Sequence, residues 1–130
     1  MLLVDKYSSD KNAIVEALLK NPTIPNKEVA EIVADKGELM AFNQGDAIVR
    51  KGVFELFVYF VLDGWLVLHI DGMNASYQAN ESFRISDLSK GLSHEEKTVF
   101  VVARADSVIV KFNREFLPAE AWCPVTTNAK

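Results

Sequence analysis

Apolar positions recur at helical spacing through the first 37 residues, and short β-branched and aromatic runs take over from Leu39. Ala13, Ile14, Ala17 and Leu18 share one face of a helix predicted over about residues 10–20, capped by Ser8 or Ser9 and stopped by Asn21-Pro22. A second helix is predicted after Pro25, with Asn26 as cap and Val29, Ile32 and Val33 as its apolar stripe; Gly37 is placed to supply a left-handed C-terminal turn. Between Leu39 and Phe112 the runs are broken by turn chemistry at Asn43-Gln44-Gly45-Asp46, Lys51-Gly52, Asp63-Gly64 and Asp71-Gly72. Asp71-Gly72 is the clearest hairpin, because two successive positive φ angles suit Asp-Gly between apolar runs.

Strand alternation sets faces as well as boundaries. In the run from Lys97 to Ala103, Lys97, Val99, Val101 and Ala103 share one side, and Thr98, Phe100 and Val102 the other, so a lysine heads an inward-looking row. The chain resumes as a strand from Val108 to Phe112, and Pro118 and Pro124 then oppose any long helix in the tail. The pattern is mainly β, a sandwich, jelly roll or barrel with short N-terminal helices. The whole of residues 1–130 is expected to be one domain: a helical segment over 1–37, a β-roll over 38–113 and a short C-terminal segment over 114–130.

Composition narrows the function classes. With 49% hydrophobic and 25% charged residues the chain can build a core, which sets aside disordered and low-complexity readings. A formal net charge of -4 opposes general binding to a polyanion, so an anionic ligand must be caught locally and direct DNA binding is not expected. The single cysteine, Cys123, has no disulfide partner and no metal-ligand spacing around it, which fits a reducing compartment. The opening MLLVDKYSSD lacks the features of a secretion signal, and Glu55, Asp63 and Gly64 interrupt the apolar run from Val53 to Ile70, so a cytoplasmic protein without a membrane span is expected. His69 reads as a surface histidine and His94 as a loop residue; two histidines this far apart make no metal site, and no nucleophile and base pair up, so no enzymatic activity is expected.

The run Phe42-Asn43-Gln44-Gly45-Asp46-Ala47-Ile48-Val49-Arg50-Lys51-Gly52, followed by Phe57 to Val67 with Tyr59-Phe60-Val61 before Gly64, resembles the first half of cyclic nucleotide-binding domains. In that family three glycines at such spacing turn a β-roll, and Gly45, Gly52 and Gly64 match them. Thr98 to Ser107 and Val108 to Phe116 are similar to the closing strands, so the resemblance covers about two-thirds of the chain. It implies a catabolite activator-like β-roll. In the catabolite activator group a DNA-binding domain follows the roll, and this chain is expected to lack one.

The family's ligand site is a phosphate-binding cassette, a Phe-Gly-Glu-Leu turn opening a short helix and then an Arg at the head of a strand. The comparable segment here is Phe83-Arg84-Ile85-Ser86-Asp87-Leu88, then Lys97-Thr98. With one residue inserted after Phe83, Ser86 stands for the Gly, Asp87 for the Glu and Lys97 for the Arg; without it Ile85 replaces the Glu and the acid is gone. The chemistry can be weighed directly. A cyclic phosphate diester wants helix N-terminal amides and a cation, which Ser86 as cap, Asp87-Leu88-Ser89 and Lys97 can offer. Lysine is a point charge rather than a planar two-pronged donor, and a lost charge-assisted hydrogen bond lowers affinity roughly ten- to a hundredfold. If the strand extends back to Glu95, its carboxylate shares the face of Lys97 and competes with a phosphate for the lysine.

Trp122 can stack on a base or pack against the roll. Two functions follow. One is a stand-alone regulatory module with a degenerate cassette, in which Ser86, Asp87, Leu88, Lys97 and Thr98 hold cAMP, cGMP or another small anion weakly or not at all, with no other cofactor. The alternative is a protein-interaction or homodimerisation module that keeps only the roll, with Phe54, Phe57 and Phe100 as its surface candidates.

Overall fold

The computed structural model describes residues 4–51, 57–70, 73–84 and 98–122. Three helices open it: α1, Asp5–Ser8; α2, Lys11–Leu19; and α3, Lys27–Lys36. The cap of α2 is Asp10, not Ser8 or Ser9, because Ser8 is taken up in α1 and the Ser9 hydroxyl donates to the Asp5 carbonyl at 2.7 Å. Asp10 has extended backbone, and its carboxylate accepts from the Asn12 amide at 3.0 Å. Asn26 caps α3 as expected, accepting from the Val29 amide at 2.9 Å. Ile14, Val15 and Leu18 of α2 and Val29, Ala30, Val33 and Ala34 of α3 are buried together. At the surface, Lys11 reaches Asp35 at 2.9 Å and holds its carboxyl below the usual carboxylate range.

Gly37 follows α3 in extended rather than left-handed conformation, with φ -77° and ψ 162°. Its reason is space: a Cβ there would meet Val110 Cγ1 and lie 2.6 Å from the Val33 carbonyl oxygen. The missing side chain lets the chain pass from α3 directly against the sheet.

Among the described residues eight strands follow: β1 Glu38–Phe42, β2 Ala47–Lys51, β3 Phe57–Asp63, β4 Trp65–Ile70, β5 Met73–Gln78, β6 Ser82–Phe83, β7 Thr98–Ala103 and β8 Ser107–Asn113. They form two four-stranded antiparallel sheets, ordered β1-β8-β3-β6 and β2-β7-β4-β5. The strands on either side of Asp71-Gly72 are antiparallel neighbours with Ile70 opposite Met73, as the hairpin reading expects; those two residues, Gly52 and Phe54 lie outside the described residues.

The first sheet is covered on both faces, which is why β3 reads as one continuous apolar run. Val58, Phe60 and Leu62 pack with α2 and α3, while Phe57, Tyr59 and Val61 face the second sheet. Phe57 therefore lines the roll and is not part of the outer surface for which its position before the central strand made it a candidate. Two cores result, one under the helices and one inside the roll.

Turns tie the sheets at one end. Gly45 (φ 94°) turns Asn43–Asp46, where the Asp46 carboxylate accepts from the Asn43 amide at 2.8 Å. Gly64 (φ 105°) passes against the backbone of Asp106 and Ser107. The buried Ser107 hydroxyl donates to the Ala105 carbonyl at 2.7 Å and accepts from the Trp65 amide at 3.0 Å, joining the start of β8 to the start of β4. These contacts fix how the two sheets face each other.

Candidate ligand-binding site

The roll interior is built by alternate residues of both sheets. Val61, Leu66, Leu68, Val101, Ala103 and Ile109 form its apolar body. Toward the edge where β6 and β5 meet, three rings fill the gap between the sheets: Phe83 stacks on Tyr59 at 5.1 Å between ring centres and on Tyr77 at 4.7 Å. Such stacked pairs add about 0.5 to 1.5 kcal/mol each beyond the area they bury. Phe83 and Tyr59 are buried and Tyr77 is half-buried. Phe83, which the resemblance sets at the head of the cassette, is thereby anchored in the roll.

A cation also faces this interior. Lys111 alternates with Ile109 on the roll side of β8 and lies opposite both Glu38 and Tyr59 in register. Its Nζ sits 4.2 Å from the centre of the Phe57 ring, a cation–π contact. Lys111 is no part of the cassette that the resemblance implies, and its sequence signal is a lysine in the otherwise apolar strand Val108–Phe112.

Of the cassette residues, Ser86, Asp87, Leu88 and Lys97 lie outside the described residues, as do Glu95 and His94. Thr98 opens β7, paired with Lys51 in the sheet. The facing expected for that strand holds where it is described: Val101 and Ala103 are buried in the roll, and Phe100 is 47% exposed on the outer side. His69 lies on that same outer face, half-buried and hydrogen-bonded to Asn74. Trp122 closes the second of two 3-10 turns, Arg114–Phe116 and Ala119–Trp122. Its indole stacks on Phe60 at 6.2 Å and meets Phe112 edge-on at 5.9 Å, so it seals the helix-side core. Among the described residues no group of three or more His, Cys, Asp or Glu is placed to hold a metal ion, and no helix is long and apolar enough to cross a membrane.

No protein-family model and no curated protein matches this sequence. Solved structures do. The chain superposes on cAMP-bound PfPKA-R with a TM-score of 0.54 at 18% identity, covering 87% of this chain and 39% of that one. It is similar to the regulatory subunit of a cAMP-independent protein kinase A from Trypanosoma cruzi bound to guanosine, with a TM-score of 0.57 at 18% identity over 80% of this chain and 39% of the other. The corresponding regulatory subunit from Trypanosoma brucei gives 0.55 at 19% identity, over 85% and 40%.

This is a cyclic nucleotide-binding-like fold. At such identities the likeness establishes the fold, and the chain spans well under two-thirds of each of these relatives. Within the cyclic nucleotide-binding-like fold the two turn glycines of positive φ, Gly45 and Gly64, stand where the resemblance placed them. The structures sharing it include one bound to cAMP and one bound to guanosine, so the fold by itself does not fix the ligand.

Proposed function

We propose that this chain is a cyclic nucleotide-binding-like regulatory module whose affinity for cyclic nucleotides is weak or absent, with no enzymatic activity and no DNA binding of its own. The observation that carries the reading is the roll itself, with Phe83 held between Tyr59 and Tyr77 where the two sheet edges meet. With one residue inserted after Phe83, the resemblance leaves the cassette an acid and a base, Asp87 and Lys97, but lysine replaces the planar guanidinium with a point charge, and a strand extended back to Glu95 would offer that charge a competing carboxylate. Weak capture of a cyclic phosphate is the consequence.

Thermal unfolding with 1 mM cAMP, cGMP or guanosine tests this. A site with a Kd of about 10 µM would add about 2.7 kcal/mol at that concentration and raise Tm by roughly 8 °C or more. The expected rise is below about 3 °C for each ligand, since a millimolar site adds less than about 0.5 kcal/mol. A rise of about 8 °C with cAMP or cGMP would overturn the proposal and name the ligand, whereas such a rise with guanosine alone would leave weak cyclic nucleotide affinity standing.

A second reading, a protein-interaction or dimerisation module, is favoured by the outer face of the β2-β7-β4-β5 sheet. Trp65 and Phe100 are 40% and 47% exposed there, on the same side as Val67 and Val102. Sedimentation of the native chain against Phe100→Glu distinguishes it: a dimer dissolved by that change would support the second reading.

A further inference from the structure

A cleft of about 330 Å³ lies on the opposite side of the first sheet from the roll, between the loop that joins α2 to α3, the edge strand β6 and the C-terminal 3-10 turns. Thr23, Val58, Ser82, Phe83, Arg84, Arg114 and Trp122 line it. Val58 belongs to the helix-side core, so the cleft and the roll interior are back to back across β3. We propose that this cleft is a binding site for a small organic anion with a flat apolar body, an aromatic carboxylate or aromatic phosphate ester.

Charge gives the sign of the ligand. Two arginines, Arg84 and Arg114, are among the described residues that line the space and no carboxylate is among them, in a chain whose net charge is -4. Arginine presents a rigid planar fork that matches carboxylate and phosphate oxygens in pairs. Arg114 forms no ion pair with any described carboxylate, although Glu115 follows it in sequence.

Shape and hydroxyl chemistry give the rest. Val58 and Trp122 supply the apolar surface, and the Trp122 ring is already held flat by Phe60 and at its edge by Phe112, so stacking on it costs little further ordering. Thr23 and Ser82 share one hydrogen bond, Oγ1 to Oγ at 2.9 Å. One hydroxyl donates in that bond, and the accepting hydroxyl keeps its own proton to give to an anion. Thr23 is set in place by the buried Asn21, whose side-chain oxygen accepts from the Thr23 amide at 2.9 Å. The volume falls at the lower end of small-ligand pockets, enough for one aromatic ring and its acid group.

The chain has two tryptophans, so Trp65→Phe leaves Trp122 as the reporter. Its fluorescence is titrated with phenyl phosphate, benzoate, inorganic phosphate and phenol, each to 10 mM. Saturable quenching by phenyl phosphate or benzoate is expected, with no saturation by phenol and weaker binding of inorganic phosphate. Arg114→Gln and, separately, Arg84→Gln are expected to weaken it roughly ten- to a hundredfold. Lys97→Ala is expected to leave it unchanged, which separates this site from an anion held by Lys97. Circular dichroism confirms that each variant is folded, and either arginine variant suffices if the other is not. Absence of saturation by both aromatic anions, or binding indifferent to the folded arginine variants, would overturn the proposal. Loss in Lys97→Ala together with displacement by cAMP would move the ligand to the roll and overturn it equally.

Discussion

Two glycines with positive φ offer a matched pair of perturbations. Gly45 (φ 94°) has nothing within 4 Å of a built Cβ, whereas at Gly64 (φ 105°) that atom would lie 2.5 Å from Ser107 Cα and 2.6 Å from the Asp106 carbonyl oxygen. Gly45→Ala therefore incurs the conformational term alone, about 1 to 3 kcal/mol for a side chain in a sparsely populated backbone region. Gly64→Ala adds a clash with backbone that no rotamer change relieves, another 1 to 3 kcal/mol or more by analogy with overpacked cores, about 2 to 6 in all. For a chain of this size each kcal/mol moves Tm by about 3 to 6 °C. Both variants melted by circular dichroism should lose stability, with Gly64→Ala melting at least about 3 °C below Gly45→Ala. Equal melting temperatures, or the reverse order, would refute the close approach of the β3–β4 turn to the start of β8.

Asn26→Ala removes the only side-chain acceptor shown for the Val29 amide at the start of α3 and should cost about 1 kcal/mol, read as a lower urea midpoint with unchanged slope. Burial, with Asp63 beside it, pushes the Tyr7 phenol above its usual value of 10.0, and its hydroxyl donates to Asp63 at 3.4 Å. A folded pKa raised above the unfolded one means that this contribution is complete below pH 10 and is lost as pH rises through the folded value. Stability measured from pH 9 upward should therefore fall more steeply in the native chain than in Tyr7→Phe, and parallel curves would contradict the burial of Tyr7.

Much of the fold was legible because it rests on short-range rules. Asn26 declared the α3 cap, Gly45 and Gly64 declared turns, and the alternation Val101, Phe100, Ala103 set the two sides of β7. The failures came where a tertiary neighbour decided. Ser8 and Ser9 lost the α2 cap to Asp10 because one extra helical turn precedes it, and Gly37 is needed for a passage against Val110 and Val33 that no local pattern announces. Phe57 looked outward until the two-faced burial of β3 placed it in the roll. The Arg84–Arg114 cleft was illegible for a different reason: its residues lie far apart in sequence and converge only in the fold.

Titration calorimetry with cAMP and cGMP, on the native chain and on Lys97→Ala, addresses the proposed function most directly. Weak or absent affinity predicts no saturable heat below about 1 mM for either nucleotide, and the same flat trace in the variant. Micromolar binding that Lys97→Ala abolishes would contradict it and establish a working cassette.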